Sequence, residues 1–246
     1  MSTQNKPLSG QTILITGGAR RLGREIAISV ATAGADIVLH YAHSSQPAED
    51  TANQIRKLGQ KVKLYQADFS SQEETQIFCE SIFSSEPITS LINNAAIFRN
   101  LDLQNTTLED WNEHLQVNLT SPFQLSRNFA LHFKGPFPGK IINILDWRAL
   151  HPGKDHFPYT VSKAALAAMT RSLAISLAPN ILVNAIALGA ILAPEEEAPN
   201  PEILNNIPML RWAKIEELGD LVNFFLSGPL YMIGEIIHLD GGRHLN

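Results

Sequence analysis

Short β-branched runs alternate with longer amphipathic segments along almost the whole chain, and this alternation constrains the fold more than any other feature. It predicts parallel strands joined by crossover helices. Several runs are almost continuously apolar, as expected of strands that helices cover on both faces. The predicted strands are Thr12–Thr16, Ile37–Tyr41, Val62–Gln66, Ser90–Asn93, Ile141–Leu145, Leu182–Ala187 and Glu235–Leu239.

The intervening segments have helical periodicity, and helices are predicted near residues 21–34, 47–59, 72–84, 107–133, 158–178 and 214–227. With right-handed crossovers, these elements give a doubly wound Rossmann fold of the α/β class. The prediction is a seven-stranded parallel sheet with helices on both faces. No repeat or low-complexity linker divides the 246 residues, so a single domain is expected.

Composition narrows the functional classes. The chain is 44% hydrophobic, and 19 basic against 24 acidic residues give a formal net charge of −5. Because no basic run is present, nucleic-acid binding is not expected. The single cysteine, Cys79, lies among apolar residues and is predicted to be a buried, unreactive thiol. No cysteine–histidine cluster has zinc-ligand spacing, so no metal site is predicted.

Two segments bear on localisation. The polar stretch Met1–Gln11 lacks the apolar core of a signal peptide. The most apolar stretch, Ile181–Pro194, is too short to cross a bilayer. A soluble, cytoplasmic protein without membrane contact is therefore expected.

Residues 190–208 break the regular alternation with four prolines and the acidic triplet Glu195–Glu197. Long loops inside compact folds usually have a function or move. This segment is therefore expected to cover a substrate cleft. A solvent-exposed insertion explains its composition equally well.

The first predicted strand runs into a glycine-containing turn, Gly17–Gly23, and then into a helix. In such a turn the backbone N–H groups can approach a pyrophosphate, and the positive end of the helix dipole favours its charge. The turn therefore predicts a dinucleotide site. A tight structural turn is the alternative.

Charge predicts which dinucleotide binds. An NAD site places a carboxylate near the end of the second strand to hold the ribose 2′-hydroxyl, but Leu39–Ser45 contains none. A 2′-phosphate would instead meet Arg21, His40 and the Ser44 hydroxyl, and an arginine fork matches phosphate oxygens. NADPH is therefore predicted rather than NADH. The alternative is that Arg20 and Arg21 are solvated residues at a helix start.

A proton-transfer pair is predicted at Tyr159 and Lys163. Pro158 suits the first position of a helix, and residues four apart project from one helix face. The lysine ammonium and the helix dipole should both lower the pKa of the tyrosine from its usual value near ~10. His151 and His156, which precede this helix, are expected at the loop surface.

Together with other motifs, this pair makes the chain similar to the short-chain dehydrogenase/reductase family over almost its whole length. The matching features are the turn at residues 16–23, Asp68, Asn93-Asn94-Ala95, Asn118, Tyr159 with Lys163, and Asp240-Gly241-Gly242.

The resemblance implies roles for individual residues. Tyr159 exchanges a proton, Lys163 also binds the nicotinamide ribose, and Asn118 supports a water relay. Asp68 holds the adenine edge, and Asn94 lies at the floor of the cofactor site. The expected cofactor contacts are Gly17, Arg20, Arg21, Leu22, His40, Tyr41, Ser44, Asp68, Phe69, Asn94, Ala95, Ala96, Lys163, Gly189 and Ala190.

Two departures from the general family resemble the pteridine reductases, which reduce dihydropterins and folates with NADPH. Asp146 stands where most members have serine, thirteen residues before the tyrosine, and Arg21 replaces the middle glycine of the turn. Phe98 matches by position the aromatic residue that stacks on the pterin. His40-Tyr41, Ser44 and the segment 189–195 are also similar to that subfamily, whereas Ala96, Leu188 and Ile233 depart from it.

A carboxyl at position 146 suits a pterin. Reduction of a ring C=N bond requires a proton on nitrogen as hydride reaches the adjacent carbon, and a carboxyl beside Tyr159 can shuttle that proton. Burial should raise the pKa of Asp146 and make it a better acid. The predicted substrate contacts are Phe98, Asp146, Trp147 and Tyr159. For Asp146, the alternative to a chemical role is a strand-end cap. For Phe98 and Trp147, the alternative to substrate contact is packing in the core.

The first functional hypothesis is therefore NADPH-dependent reduction of dihydropterin, dihydromonapterin or dihydrofolate-like rings. The second is a ketone reductase of the same fold that acts on 3-oxoacyl thioesters, for which serine at position 146 and a basic patch would be expected. The third is a cofactor-sensing protein without turnover. The family resemblance also implies a homotetramer, with the tail Arg243–Asn246 near a subunit interface.

Overall fold

Seven parallel strands form the centre of the molecule. The computed structural model describes residues 6–135, 137–192 and 201–246. The strands are β1 (Thr12–Ile15), β2 (Asp36–Tyr41), β3 (Val62–Gln66), β4 (Ser90–Asn93), β5 (Gly139–Asp146), β6 (Ile181–Leu188) and β7 (Ile236–Leu239). They pair in the order β3-β2-β1-β4-β5-β6-β7. All seven predicted strands are confirmed to within two residues at each end.

Helices cover both faces of this sheet. They are α1 (Arg21–Thr32), α2 (Ser45–Lys57), α3 (Gln72–Ser85), α4 (Leu108–Leu115), α5 (Ser121–His132), α6 (Phe157–Leu177) and α7 (Ile215–Ser227). Alternate residues of one strand enter different core layers, because successive side chains of a strand point to opposite faces. Ile13 and Ile15 pack with α1 and α7, whereas Leu14 packs on the other side with α3 and α5. The doubly wound fold is confirmed.

The single helix predicted over 107–133 is wrong. A π-helical turn, Gln116–Thr120, separates α4 from α5. Pro122 has no N–H to donate to the carbonyl of Asn118, so a regular α-helical ladder cannot continue through this point. Instead, the Ser121 N–H bonds to the carbonyl of Gln116. The wider turn sets the direction of the buried Asn118 side chain.

The strand order reverses between β1 and β4, where ligands of doubly wound sheets bind at the carboxyl ends. The glycine turn follows β1, Asn94 follows β4, and Asp146 ends β5. The fold thereby brings the three predicted sites to one edge of the sheet.

The structure also bears on Cys79 and on the absence of a membrane-spanning helix. Cys79 is buried, and burial raises the pKa of its thiol to about 12, so it is confirmed as an unreactive core residue. Among the described residues, no helix is long and apolar enough to cross a membrane.

Candidate active site

The turn after β1 is held by side chains from beneath. The N–H of Gly17 donates to Nδ1 of His40 over 3.1 Å, and Nε2 of His40 lies 2.9 Å from the carbonyl oxygen of Ala67. Nε2 therefore carries the proton, and the imidazole is neutral. Burial lowers its pKa to about 4, and the ring stacks on Phe69 with centroids 3.9 Å apart.

This arrangement corrects the predicted role of His40. With both nitrogens bonded inside the protein and a side chain that is only 2% exposed, it supplies neither charge nor a donor to a 2′-phosphate. It fixes the backbone of the turn instead. Phe69 is likewise buried, so its side chain is part of the support under the turn and only its backbone can face a cofactor.

The end of β4 is tied to the same turn. Oγ1 of Thr16 accepts the N–H groups of Asn94 and Ala95, each over 2.9 Å. The side-chain amide of Asn94 donates to the carbonyls of Thr16 and Gly17, at 2.8 and 3.2 Å. Asn94 thus lies at the floor of the site, but its amide is used to join two backbone segments.

The turn has the shape that a dinucleotide requires. A Cβ at Gly23 would lie 2.0 Å from the carbonyl oxygen of Gly17, so only glycine allows this closeness. Arg20 is the N-cap of α1 and makes no side-chain capping bond, and N–H groups at the start of a helix suit a phosphate. Arg21 adopts a left-handed φ of 52°, which explains why the family prefers glycine there. These residues fit a dinucleotide cofactor.

The other predicted cofactor residues surround this turn. Leu22 and Tyr41 pack against the apolar layer under it, and Ala96 is exposed beyond β4. Ser44 is the N-cap of α2 without a side-chain capping bond. Asp68 accepts the N–H of Ser70 and lies 3.3 Å from Nε2 of His43. At the end of β6, the Gly189 N–H binds the carbonyl of Leu239, and the Ala190 carbonyl accepts the N–H of Ala213.

Asp146 and Tyr159 meet at the end of β5. The phenol oxygen of Tyr159 donates to Oδ2 of Asp146 over 3.4 Å, while Oδ1 accepts the N–H of Arg148 over 2.9 Å. Burial raises the pKa of Asp146 in spite of the nearby Arg148 and Lys163 cations. The predicted rise of this pKa is confirmed. The carboxyl also caps a short 3₁₀ helix, Trp147–Ala149, so the capping alternative holds beside the chemical one.

The predicted decrease in the pKa of Tyr159 is wrong. Burial of the phenol and, next, the charge of Asp146 raise its pKa well above the ordinary value. Lys163 does not offset them, because its Nζ donates to the carbonyl of Ile144 over 2.7 Å and lies 5.8 Å from the centroid of the phenol ring. In this arrangement Tyr159 keeps its proton and is suited to donate it.

Lys163 and Asn118 complete the predicted set. Burial lowers the pKa of Lys163 to about 8. The side chain of Asn118 exchanges hydrogen bonds with the backbone of Ile97 and donates to Oγ of Ser162 over 3.0 Å. Ser162 in turn donates to the carbonyl of Tyr159. Asn118 therefore connects the start of α6 to the segment after β4.

Phe98 lies at the surface beside Tyr159 rather than in the core. It is 49% exposed, and its ring edge meets Tyr159 with centroids 4.6 Å apart. His156 stacks on Phe98 at 4.1 Å and 15°, so this histidine is not the loop-surface residue that was expected. A planar substrate has the remaining surface of Phe98 available.

A polar chain runs from Arg148 through Asp155 to His156. Nη2 of Arg148 donates to Asp155 over 2.9 Å, and the same carboxylate oxygen lies 2.9 Å from Nδ1 of His156. Burial alone would raise the pKa of Asp155, but the hydrogen bond and charge of Arg148, together with the hydrogen bond from His156, hold it at about 2. Arg148 and Asp155 were not predicted, since nothing in their spacing distinguishes them from a solvated loop.

Comparisons with known proteins show which family the chain is similar to. A family model described as short chain dehydrogenase matches residues 11–202. The 3-oxoacyl-[acyl-carrier-protein] reductase FabG of Aquifex aeolicus is 34% identical over 243 residues, which cover 96% of this chain and 98% of that protein. The 2-dehydro-3-deoxy-D-gluconate 5-dehydrogenase of Bacillus subtilis is also 34% identical, over 96% of this chain and 95% of its own.

The chain belongs to the short-chain dehydrogenase/reductase family.

Among solved structures, the FolM alternative dihydrofolate reductase 1 of Brucella canis, complexed with NADP, has a TM-score of 0.88 and 32% identity. The match covers 96% of this chain and 95% of that one. A metagenomic blue fluorescent protein in complex with NADPH has a TM-score of 0.88 at 28% identity and covers 98% of this chain and 99% of its own. Membership of the family makes this chain an oxidoreductase with a nicotinamide cofactor.

The sequence pattern predicted residues that the structure brings together at the ends of β4 and β5, but it missed the side chains that support them. Thr16, Ser162 and Arg148 each fix a predicted residue through a hydrogen bond. Thr16 and Ser162 directly adjoin motif residues, which was the only available signal. Of the segment predicted to cover the cleft, residues 193–200, including Pro194, Glu195–Glu197 and Pro199, lie outside the described residues.

Proposed function

We propose that this protein reduces pterin- or dihydropterin-type rings with NADPH. The observation that carries the proposal is the largely buried carboxyl of Asp146, whose Oδ2 lies 3.4 Å from the phenol oxygen of Tyr159. Both a ketone and a ring C=N bond need a proton when hydride is added, but a ketone reductase uses a neutral hydroxyl to orient the carbonyl oxygen, whereas a carboxyl at that position can itself shuttle the proton that the ring nitrogen gains. Two acidic groups with raised pKa values at one point suit the second task.

NADPH, when bound, supplies the hydride; the residues of the chain move the proton. Tyr159 holds its proton at neutral pH and can give it to the ring nitrogen. Asp146 can then return a proton to Tyr159 from solvent, because its side chain is 17% exposed while the phenol is buried. Phe98 supports the planar ring against the nicotinamide side of the cleft.

The preference for NADPH over NADH depends in this proposal on Arg21. Its charge lies at the start of α1, and no carboxylate occurs over residues 39–45 to repel a 2′-phosphate. In Arg21→Ala we expect the ratio of kcat/KM for NADPH to that for NADH to fall at least about tenfold, since a charge-assisted hydrogen bond is lost. Arg56→Ala, an exposed change in α2, is the control. An unchanged ratio in Arg21→Ala would assign the preference to other residues.

Reduction of 3-oxoacyl thioesters is the second candidate. The observation in its favour is the 34% identity with the Aquifex aeolicus protein named 3-oxoacyl-[acyl-carrier-protein] reductase. The name of the Brucella canis protein favours dihydrofolate-like substrates instead. Parallel assays of NADPH oxidation with dihydrobiopterin, dihydrofolate and an acetoacetyl thioester separate the candidates. Turnover of the thioester alone would favour the second, and NADPH binding without any oxidation would favour a sensing role.

Asp146→Ser tests the carboxyl directly. We expect dihydropterin turnover to fall about 10²-fold or more, because one proton-transfer group is removed. The dissociation constant for NADPH should stay within about twofold, since Asp146 lies at the substrate side of β5. Full dihydropterin turnover in the serine variant would refute the proposed role of the carboxyl.

A further inference from the structure

The C-terminal tail turns back toward the end of β5. After β7, Gly241 and Gly242 adopt φ values of 65° and 85°, which reverse the chain. Asp240 accepts the N–H groups of Gly242 and His244, at 2.9 and 2.8 Å, and its carboxylate also contacts the His244 ring. These contacts position a short 3₁₀ helix, Arg243–Leu245.

The turn places Arg243 against Trp147. Its guanidinium carbon lies 4.1 Å from the centroid of the Trp147 ring, and the guanidinium carbon of Arg148 lies 5.1 Å from the same centroid. Trp147 directly follows Asp146 in the chain. Two cations and an aromatic surface therefore adjoin the reacting carboxyl.

Arg243 has no direct ion pair among the described residues. Arg148 has its ion pair with Asp155, but no carboxylate of the described residues lies within 4.0 Å of the Arg243 guanidinium. Nε of Arg243 is buried and has no hydrogen-bond partner among the described residues. Burial and, next, the charge of Arg148 lower the pKa of Arg243, and the more distant carboxylates of Asp146, Asp155 and Asp240 offset this only in part. A half-buried cation beside another cation gains energy from an added anion.

We infer that Arg243 and Trp147 form a subsite for a carboxylate that the substrate carries at a distance from its reacting ring. This inference rests on the proposed function and deepens it: the favoured substrates are dihydropterins with an acidic side chain, such as dihydrofolate with its benzoylglutamate group, over dihydropterins with a neutral one. The guanidinium fork binds the carboxylate, and the ring at Asp146 and Tyr159 is reduced.

The test measures dissociation constants by calorimetry on the protein saturated with NADP⁺. The ligands are folate, biopterin (the same ring without a carboxylate) and 4-aminobenzoylglutamate (the tail without the ring). In Arg243→Gln we expect folate and the tail fragment to bind about tenfold more weakly or worse, equivalent to about 1.4 kcal/mol. Biopterin should bind within about twofold of its wild-type affinity, which also shows that the variant is folded.

Two further variants sharpen this result. Arg243→Lys keeps the charge and should retain most of the folate affinity, at about threefold weaker binding. Arg211→Gln removes an exposed arginine that pairs with Glu217, and no ligand should change its affinity there. Equal losses for folate and biopterin in Arg243→Gln, or no loss for folate, would overturn the subsite.

Failure of the proposed function gives a different pattern. If folate and the tail fragment bind in an Arg243-dependent manner but no dihydropterin is reduced, the carboxylate subsite stands and the reductase proposal fails. If dihydropterins are reduced but the tail fragment does not bind wild-type protein, the subsite fails and the reductase proposal stands.

Discussion

The two halves of the active site are built in different ways. In the cofactor half, main-chain groups form the working surface, and buried side chains such as His40 and Thr16 hold that main chain in place. In the substrate half, the proposed proton-transfer groups are the side chains of Asp146 and Tyr159, which hydrogen-bond to each other. A hydrogen bond between Arg148 and Asp155 lies beside them. The first half therefore depends on packing and the second on charge. Substitutions should consequently affect stability and cofactor binding in one half, and turnover in the other.

Tyr159→Phe should give the largest effect, on turnover alone. Removal of the proton donor should lower kcat for the reduced substrate by about 10²–10⁴-fold, while the free energy of unfolding changes by less than about 1 kcal/mol. The phenol makes one long hydrogen bond, to Asp146, so little packing is lost. Steady-state kinetics and urea unfolding measure the two quantities.

For comparison, Tyr231→Phe removes a hydroxyl from a fully exposed tyrosine and should change neither quantity. A Tyr159→Phe enzyme that loses stability but keeps its kcat would break the distinction between the two halves.

Gly23→Ala should produce the opposite pattern in the cofactor half. The added Cβ would lie 2.0 Å from the Gly17 carbonyl oxygen and 2.6 Å from Nδ2 of Asn94, so the turn must shift. We expect a loss of roughly 3 kcal/mol in the free energy of unfolding together with weaker NADPH binding. Thr32→Ala, exposed at the end of the same helix, should cost less than about 0.5 kcal/mol. Normal stability with normal NADPH affinity in Gly23→Ala would show that the turn is not fixed by packing.

The buried imidazole of His40 predicts how the stability of the cofactor half depends on pH. The buried imidazole has a pKa of about 4 against an ordinary value of 6.5, so the unfolded chain binds the proton more readily. Its contribution to stability is therefore complete above pH 6.5 and is lost as the pH falls toward 4. At pH 5 the loss should be about 2 kcal/mol.

Urea unfolding of the wild type and of His40→Gln at pH 7 and pH 5 measures this contribution. The free energy of unfolding should change less between pH 7 and pH 5 in His40→Gln than in the wild type. His132→Gln, at an exposed position on α5, should keep the wild-type difference. Identical pH dependence in all three proteins would exclude His40 as its source.

Sequence patterns predicted the fold well because periodicity and burial determine strands and helices directly. Ile13, Leu14 and Ile15 read as one apolar run, and the structure buries all three in two layers. The positions of Asp146 and Tyr159 were also predictable, because parallel strands end at a common edge and a helix places residues at fixed angles.

Predictions that depended on competing electrostatic effects were less successful. For Tyr159, local spacing showed the lysine but not the depth of burial or the distance to Asp146. For His40, the sequence showed a polar residue near a phosphate site but not the two internal hydrogen bonds that make it neutral. The approach of Arg243 to Trp147 depends on contacts between segments almost one hundred residues apart, which local patterns do not contain.

The π-helical turn at Gln116–Thr120 limits how this chain can evolve. One residue more or fewer between α4 and Pro122 would rotate Asn118 by about 100° around the helix axis and remove it from Ile97 and Ser162. Many side chains in this stretch are exchangeable, but the number of residues is not. Insertions and deletions in descendants of this sequence should therefore occur elsewhere. From Thr107 to Pro122, the number of residues should change less often than their identities.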